Sequence, residues 1–224
     1  MLKRLLAAIA ACSVAFAPAA FAQEEAAPAP TPTGAIPLSA NPDLTHDPEN
    51  ILLLDLSNGR RVAIRLVPEW APSHVERIKA LARAGFYDGV IFHRVIDGFM
   101  AQTGDPTGTG RGGSDLPDVP AEFNMFPHVR GSVSMARASD RDSANSQFFI
   151  VFYPRFSLDR NYTNFGRVIA GMDAVDAIER GEPPANPTYV VQASVAADGK
   201  PQKLAPPPAP AVAATPPAQI GLSN

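Results

Sequence analysis

Ile51-Leu52-Leu53-Leu54-Asp55-Leu56-Ser57-Asn58-Gly59-Arg60-Arg61-Val62-Ala63-Ile64-Arg65-Leu66-Val67 holds two apolar, partly alternating runs, residues 51–57 and 61–67, on either side of Asn58-Gly59-Arg60. Asn and Gly both tolerate positive φ, so this pair between two such runs predicts an antiparallel hairpin. Just downstream, Ala71-Pro72-Ser73 predicts the start of a helix. Proline is tolerated in its first turn, Val75, Ile78, Leu81 and Ala82 supply an apolar stripe, and Gly85 ends it. Trp70, the only tryptophan, is expected to staple that helix start. Strand-like runs follow at residues 90–95, 99–102, 132–135, 147–152, 164–169 and 189–195, with a second amphipathic helix at 172–180. Eight short strands and two helices predict a mainly β fold: a closed antiparallel eight-stranded barrel capped by the two helices, because closure removes exposed sheet edges.

Outward from this domain the composition changes. Lys3 and Arg4, the uncharged apolar run of residues 5–17 and the small-x-small site Ala20-Phe21-Ala22 have the layout of a secretory signal peptide over residues 1–22. The mature chain is then expected to begin at Gln23, in the periplasm of a bacterial cell. The apolar run is too short for a membrane span, which needs about 20 such residues. Cys12, the only cysteine, follows Ile9-Ala10-Ala11 and has a second reading as the acylated cysteine of a lipoprotein, although the stretch before it is short for that. On the first reading the exported protein has no thiol, and its fold cannot rest on disulfides. Residues 23–48 and 199–224 are rich in Ala and Pro, hold six and seven of the 24 prolines, and lack periodicity. They read as an extended, disordered linker and tail. Residues 49–198 remain as one domain, long enough to bury about two thirds of its unfolded surface.

Charge and motif spacing exclude several functions. Removing Lys3 and Arg4 from 19 basic residues leaves 17 against 22 acidic ones, and no basic stripe is present to meet a phosphate backbone. The four histidines, His46, His74, His93 and His128, lack the close spacing of a metal site, so neither metal nor cofactor is expected. Ser132 and Ser134 lie near His128, but no Gly-x-Ser-x-Gly elbow exposes a nucleophile. Gly108-Thr109-Gly110-Arg111-Gly112-Gly113 has no P-loop lysine and no helical pattern after it, and reads as a flexible loop.

What remains is Phe92-His93-Arg94-Val95-Ile96-Asp97-Gly98-Phe99-Met100-Ala101-Gln102-Thr103-Gly104-Asp105, which sets one arginine among apolar side chains on two short adjoining strands. Ser146-Gln147-Phe148-Phe149-Ile150 again pairs an amide with aromatics. Around them stand Gly85-Phe86-Tyr87-Asp88-Gly89, Glu122-Phe123, His128, Gly131, Ser134-Met135-Ala136, Leu158-Asp159, Asn164-Phe165-Gly166-Arg167-Val168 and Gly171-Met172. In this order, over residues 50–181, the blocks resemble the cyclophilin family of peptidyl-prolyl cis-trans isomerases.

The resemblance implies a cyclophilin-like barrel, and catalysis of rotation about the peptide bond before proline. Arg94 is then the donor to the prolyl nitrogen or the adjacent carbonyl. Phe99, Met100, Phe149 and Leu158 line the cup for the proline ring, with Ala136 beside them and Tyr162 at the rim. Gln102 binds the substrate carbonyl, the backbone at Arg137 holds the residue before proline, and Gln147 positions the arginine or a water. Read as residues alone, the four apolar side chains are plain barrel core and Arg94 is half of a surface ion pair. Alternation along a strand turns His93 to the face opposite Arg94, so a satisfied structural histidine is expected there. Three positions depart from the eukaryotic pattern: Ser157 replaces a tryptophan, Tyr162 a histidine and Arg137 an asparagine; the last matters little where only the backbone is used, and the missing indole predicts weak inhibition by cyclosporin. The implied partners are proline-containing peptides and unfolded exported proteins, met by a monomer without nucleic acid or a membrane span. A non-catalytic proline-peptide binding module or envelope chaperone is the competing reading, since a binder needs the cup but not the cation.

Overall fold

The computed structural model describes Pro37 and residues 39–206. The signal segment, Cys12, most of the first Ala/Pro-rich stretch and residues 207–224 lie outside the described residues. Eight strands form one sheet: β1 Ile51–Leu56, β2 Arg61–Leu66, β3 Arg94–Ile96, β4 Met100–Thr103, β5 Ser132–Met135, β6 Phe148–Val151, β7 Asn164–Ala170 and β8 Val190–Val195. Their order is β3-β4-β6-β5-β7-β2-β1-β8, and every neighbouring pair is antiparallel.

The β1–β2 hairpin forms as its sequence predicts, with Leu52 opposite Ile64 and Leu54 opposite Val62. Only Gly59 takes positive φ, at 82°, and its N–H donates to the Leu56 carbonyl at 2.9 Å while Leu56 N–H donates to Arg60 at 2.8 Å. Asn58 keeps ordinary φ and uses its side-chain amide on the Ala174 carbonyl instead.

Helix α1, Pro72–Arg83, buries the expected Val75, Ile78, Leu81 and Ala82. Its cap comes from a distant loop. Ala71 at the N-cap has no side-chain acceptor, and the Glu122 carboxylate receives the amides of Ser73 and His74 at 3.1 and 3.2 Å. Trp70 does not staple this helix: it stacks on Phe126 at 3.9 Å between ring centroids and donates its indole N–H to Pro37. Helix α2, Met172–Asp176, stops four residues short of the expected end. There the Arg180 guanidinium donates to the carbonyls of Asp176 and Ile178, so those groups need no further helical turn.

One buried cluster fills the interior with Leu52, Leu54, Leu56, Val62, Ile64, Val133, Met135, Phe148, Ile150, Phe165 and Val190, and the apolar face of α1 closes over it. The expected closed barrel needs one correction. The sheet is curled, but β3 and β8 share no ladder, because residues 90–93 do not run as a regular strand. The seam is an isolated bridge between Ile91 and Tyr189, with bonds from Phe92 N–H to Thr188 at 2.8 Å and from Gly89 N–H to Val190 at 2.7 Å.

Residues on both flanks of the expected 49–198 domain lie against the barrel. The buried Arg65 guanidinium donates to the carbonyls of Asn41, Asp43, His46 and Asp47, at 2.6 to 3.1 Å. Four carbonyl acceptors satisfy a cation that burial would otherwise penalise. On the other flank, Lys203 N–H donates to Asp55 at 2.7 Å and the Gln192 amide to Pro201 at 3.0 Å.

Candidate active site

Period-two alternation divides the strands between the core and an outer face. On β6, Phe148 and Ile150 enter the interior, while Phe149 and Val151 join a second cluster with Met100 and Leu158, against which Ile96, Phe99, Ala136 and Tyr162 pack. Register carries the pattern across the sheet: Arg94 lies opposite Gln102, Gln102 opposite Phe149, and Phe149 opposite Ser134. One row of the outer face therefore runs from a cation through an amide to an aromatic ring.

The apolar members form a cup. Phe149, Met100 and Leu158 are buried, and Phe99, Ala136 and Tyr162 stand half-buried around them. A short 3-10 helix, Phe156–Leu158, presents Leu158, and the amides of Asn161 and Tyr162 return to its carbonyl at 3.0 and 3.1 Å. Tyr162 packs edge-on against Phe149, with centroids 5.6 Å apart, and the Arg137 guanidinium lies 4.9 Å over the Tyr162 ring. The cleft over this cup measures about 540 Å³.

Arg94 forms the polar wall. Its Nε donates to Glu182 Oε2 at 2.8 Å, and its Nη1 lies 3.5 Å from Gln102 Oε1, the outer limit for a hydrogen bond. Gln102 donates to Gln147 at 2.9 Å, and Gln147 donates in turn to the carbonyls of Gly110 and Gly112. Gln147 thus supports Gln102 and reaches Arg94 only through it. The glycine-rich loop is held in place. The buried Asp105 carboxylate accepts from the Thr107 and Gly110 amides at 2.7 and 2.6 Å and from the Thr107 hydroxyl. Burial alone would raise the Asp105 pKa, but these bonds outweigh it and lower the group to about 2.

Nine of the ten residues singled out from the sequence line the cleft: Arg94, Phe99, Met100, Gln102, Ala136, Arg137, Phe149, Leu158 and Tyr162. Gln147 lines a second depression of about 540 Å³ that shares Gln102, Gly110, Ala136 and Arg137 with the first. The two make a continuous groove suited to an extended peptide. Arg137 turns its guanidinium onto the carbonyls of Asn161 and Ala138, at 2.8 to 3.2 Å, which leaves its backbone beside the groove. Arg94 combines both readings of its sequence, since it is ion-paired at the surface and also lines the cleft. Glu182 and Pro183 belong to the lining as well, and no motif or periodicity marked them.

His93 departs from expectation. It is 5 % exposed and lines the cleft, and neither ring nitrogen has a hydrogen-bond partner among the described residues. Strict alternation begins only at Arg94, where β3 starts, so it does not fix the direction of the preceding side chain. His128 is held instead, between Ser134 Oγ at 2.9 Å and Asp159 Oδ1 at 2.8 Å. This order of groups imitates a hydrolase triad. Ser134 is fully buried, however, so its hydroxyl cannot meet a substrate.

Burial lowers the pKa of both His93 and His128, against the opposing pull of Asp105 on the first and Asp159 on the second. The unfolded chain, with histidines near pKa 6.5, then binds more protons than the native state below that pH. The stability from the two neutral rings is full above about pH 6.5 and is lost as pH falls toward their lowered native values. Thermal unfolding at about pH 7.5 and 5.5 should show a lower Tm at the acid value, with a smaller difference in His128→Asn. Equal Tm values for the native chain at both would refute this linkage.

The sequence and the fold have counterparts among known proteins. A family model described as "Cyclophilin type peptidyl-prolyl cis-trans isomerase/CLD" matches residues 52–195. A Brucella suis protein named "Probable peptidyl-prolyl cis-trans isomerase" is 48 % identical over 170 residues, covering 69 % of this chain and 86 % of that one. "Peptidyl-prolyl cis-trans isomerase B" of Bacillus subtilis is 41 % identical over 128 residues, covering 57 % and 89 %. Among solved structures, the cyclophilin AquaCyp293 from Hirschia baltica aligns with a TM-score of 0.64 at 32 % identity, over 70 % of this chain and 78 % of that one. A Cryptosporidium parvum cyclophilin-type isomerase crystallised in the presence of the dipeptide Ala-Pro aligns with a TM-score of 0.60 at 28 % identity, over 65 % and 98 %.

Proposed function

The chain belongs to the cyclophilin-type peptidyl-prolyl cis-trans isomerases and catalyses rotation about Xaa-Pro bonds, and from that premise we propose that Arg94 is the catalytic donor and that the substrates are exported proteins as they fold. The observation that carries the first part is the Arg94 guanidinium at the wall of an apolar cup, with Nε engaged by Glu182 and Nη1 3.5 Å from Gln102 Oε1.

The reaction breaks no bond. Amide resonance sets a rotational barrier of about 18–20 kcal/mol, and uncatalysed exchange takes on the order of tens to hundreds of seconds. Shortening it to about a millisecond calls for roughly five powers of ten, or about 7 kcal/mol of preferential stabilisation of the twisted bond. As the bond twists, the prolyl nitrogen regains its lone pair and accepts a hydrogen bond. Arg94 donates to it, and acts through fixed charge and geometry because a guanidinium does not deprotonate near neutral pH. Phe149, Met100 and Leu158 hold the ring still while the Gln102 amide and the Arg137 backbone hold the chain that precedes it. Rotation is then confined to one bond.

Export rests on the N-terminal layout of Lys3, Arg4, the apolar run and Ala20-Phe21-Ala22. A processed protein starts at Gln23 and is found in the periplasmic fraction, with proline-limited refolding of exported chains as its task. N-terminal sequencing after cell fractionation checks this. Retention of Met1 in the cytoplasmic fraction would end the proposal, and an acylated N-terminus at Cys12 would replace it with a membrane anchor.

A further inference from the structure

We propose that Glu182 is a positioning residue for the isomerase reaction, holding the catalytic guanidinium by its Nε so that the terminal nitrogens of Arg94 face the cleft. The inference rests on Arg94 being the donor to the twisted bond. Glu182 is distant from Arg94 in sequence, and the fold fastens its loop on both sides of that residue. Gly181 and Val95 exchange both backbone hydrogen bonds, at 2.8 and 2.9 Å, and Phe92 N–H donates to Thr188 at 2.8 Å. With residues 181 and 188 pinned beside Val95 and Phe92, the Glu182 carboxylate meets Arg94 Nε at 2.8 Å.

The need for such a restraint follows from exposure. The Arg94 side chain is 41 % exposed, and a long arginine has many rotamers to lose when its head is fixed. Among the described residues, its head is otherwise restrained only by the marginal 3.5 Å approach to Gln102. Glu182 engages Nε, at the base of the fork, and leaves Nη1 and Nη2 for the substrate. The carboxylate is itself 53 % exposed, so water screens its charge and the main effect is geometric.

Glu182→Ala should lower kcat about two- to fivefold with KM within about twofold, the scale of an exposed pair. Glu182→Gln keeps an oxygen acceptor for Nε–H and should retain most of wild-type kcat, above that of Glu182→Ala. In an Arg94→Ala background the Glu182→Ala substitution should have no further effect, because nothing remains to be positioned. The inference fails if Glu182→Ala matches or exceeds the wild type, if Gln is as poor as Ala, if KM moves instead of kcat, or if the loss persists without Arg94. If Arg94→Ala alone is fully active, the donor assignment falls and this inference with it. A damaging Arg94→Ala beside a silent Glu182→Ala overturns only the inference.

Discussion

Arg94→Ala lowers kcat/KM for a proline peptide by at least tenfold, and on the scale of a lost transition-state donor by about a hundredfold. The loss falls mainly on kcat, because the neutral proline ring is gripped by Phe149, Met100 and Leu158, none of which the substitution touches. Thermal unfolding of the variant stays near that of the wild type, since the Arg94–Glu182 pair is exposed on both sides and such pairs contribute about 0–1 kcal/mol. Arg94→Lys separates charge from geometry. It restores the cation without the planar fork, so it recovers only part of the activity if aimed donation is what matters. Unchanged kinetics in a folded Arg94→Ala protein would leave the cup as a binding surface and nothing more.

Phe148→Ala and Phe149→Ala should differ in their effect on KM although the residues are adjacent. Phe148 is fully buried and sits edge-on between Tyr87 at 5.6 Å and Phe165 at 6.2 Å. Its truncation costs about 3–5 kcal/mol of stability, as for other buried phenylalanines, while the kcat/KM of the folded fraction changes little. Phe149 forms the floor of the cleft. Its truncation removes apolar surface from the proline site and raises KM about tenfold, equivalent to about 1.4 kcal/mol, and it costs stability as well, because the ring is itself only 4 % exposed. Denaturant titrations together with Michaelis constants distinguish the two. Similar losses of stability with no change in KM would show that Phe149 is ordinary core.

Phe149 was read into the cup through the family resemblance, since as a residue alone it reads as barrel core; strand alternation explains why it turns away from Phe148. The same regularity, with Asn58-Gly59 between apolar runs, made the first hairpin and most strands readable, and the blocks around Arg94 and Phe149 supplied the cup. Features that join distant segments were not readable. Glu122 caps α1 from 48 or more residues away, and Glu182 reaches Arg94 across 88, so no local pattern records either contact. Arg65 is instructive in another way: a charged residue in a strand usually marks a solvent face, yet here a segment of Asn41 to Asp47 bends over it and lends it four carbonyls. His93 was misplaced because alternation was extended one residue beyond the strand that enforces it. Closure was overstated for a related reason: sequence counts strands, whereas the seam depends on whether residues 90–93 ladder with β8, and they make only isolated bonds.

This groove accelerates rotation about the prolyl bond instead of merely holding proline. The direct measurement is cis-to-trans relaxation of an Ala-Ala-Pro-Phe peptide at low temperature, with residues 23–224 in catalytic amount and peptide binding recorded on the same sample. Relaxation should quicken in proportion to enzyme concentration and return to the uncatalysed rate when the groove is blocked by a competing proline peptide. Binding of the peptide by folded protein with no change in its relaxation rate would contradict that acceleration.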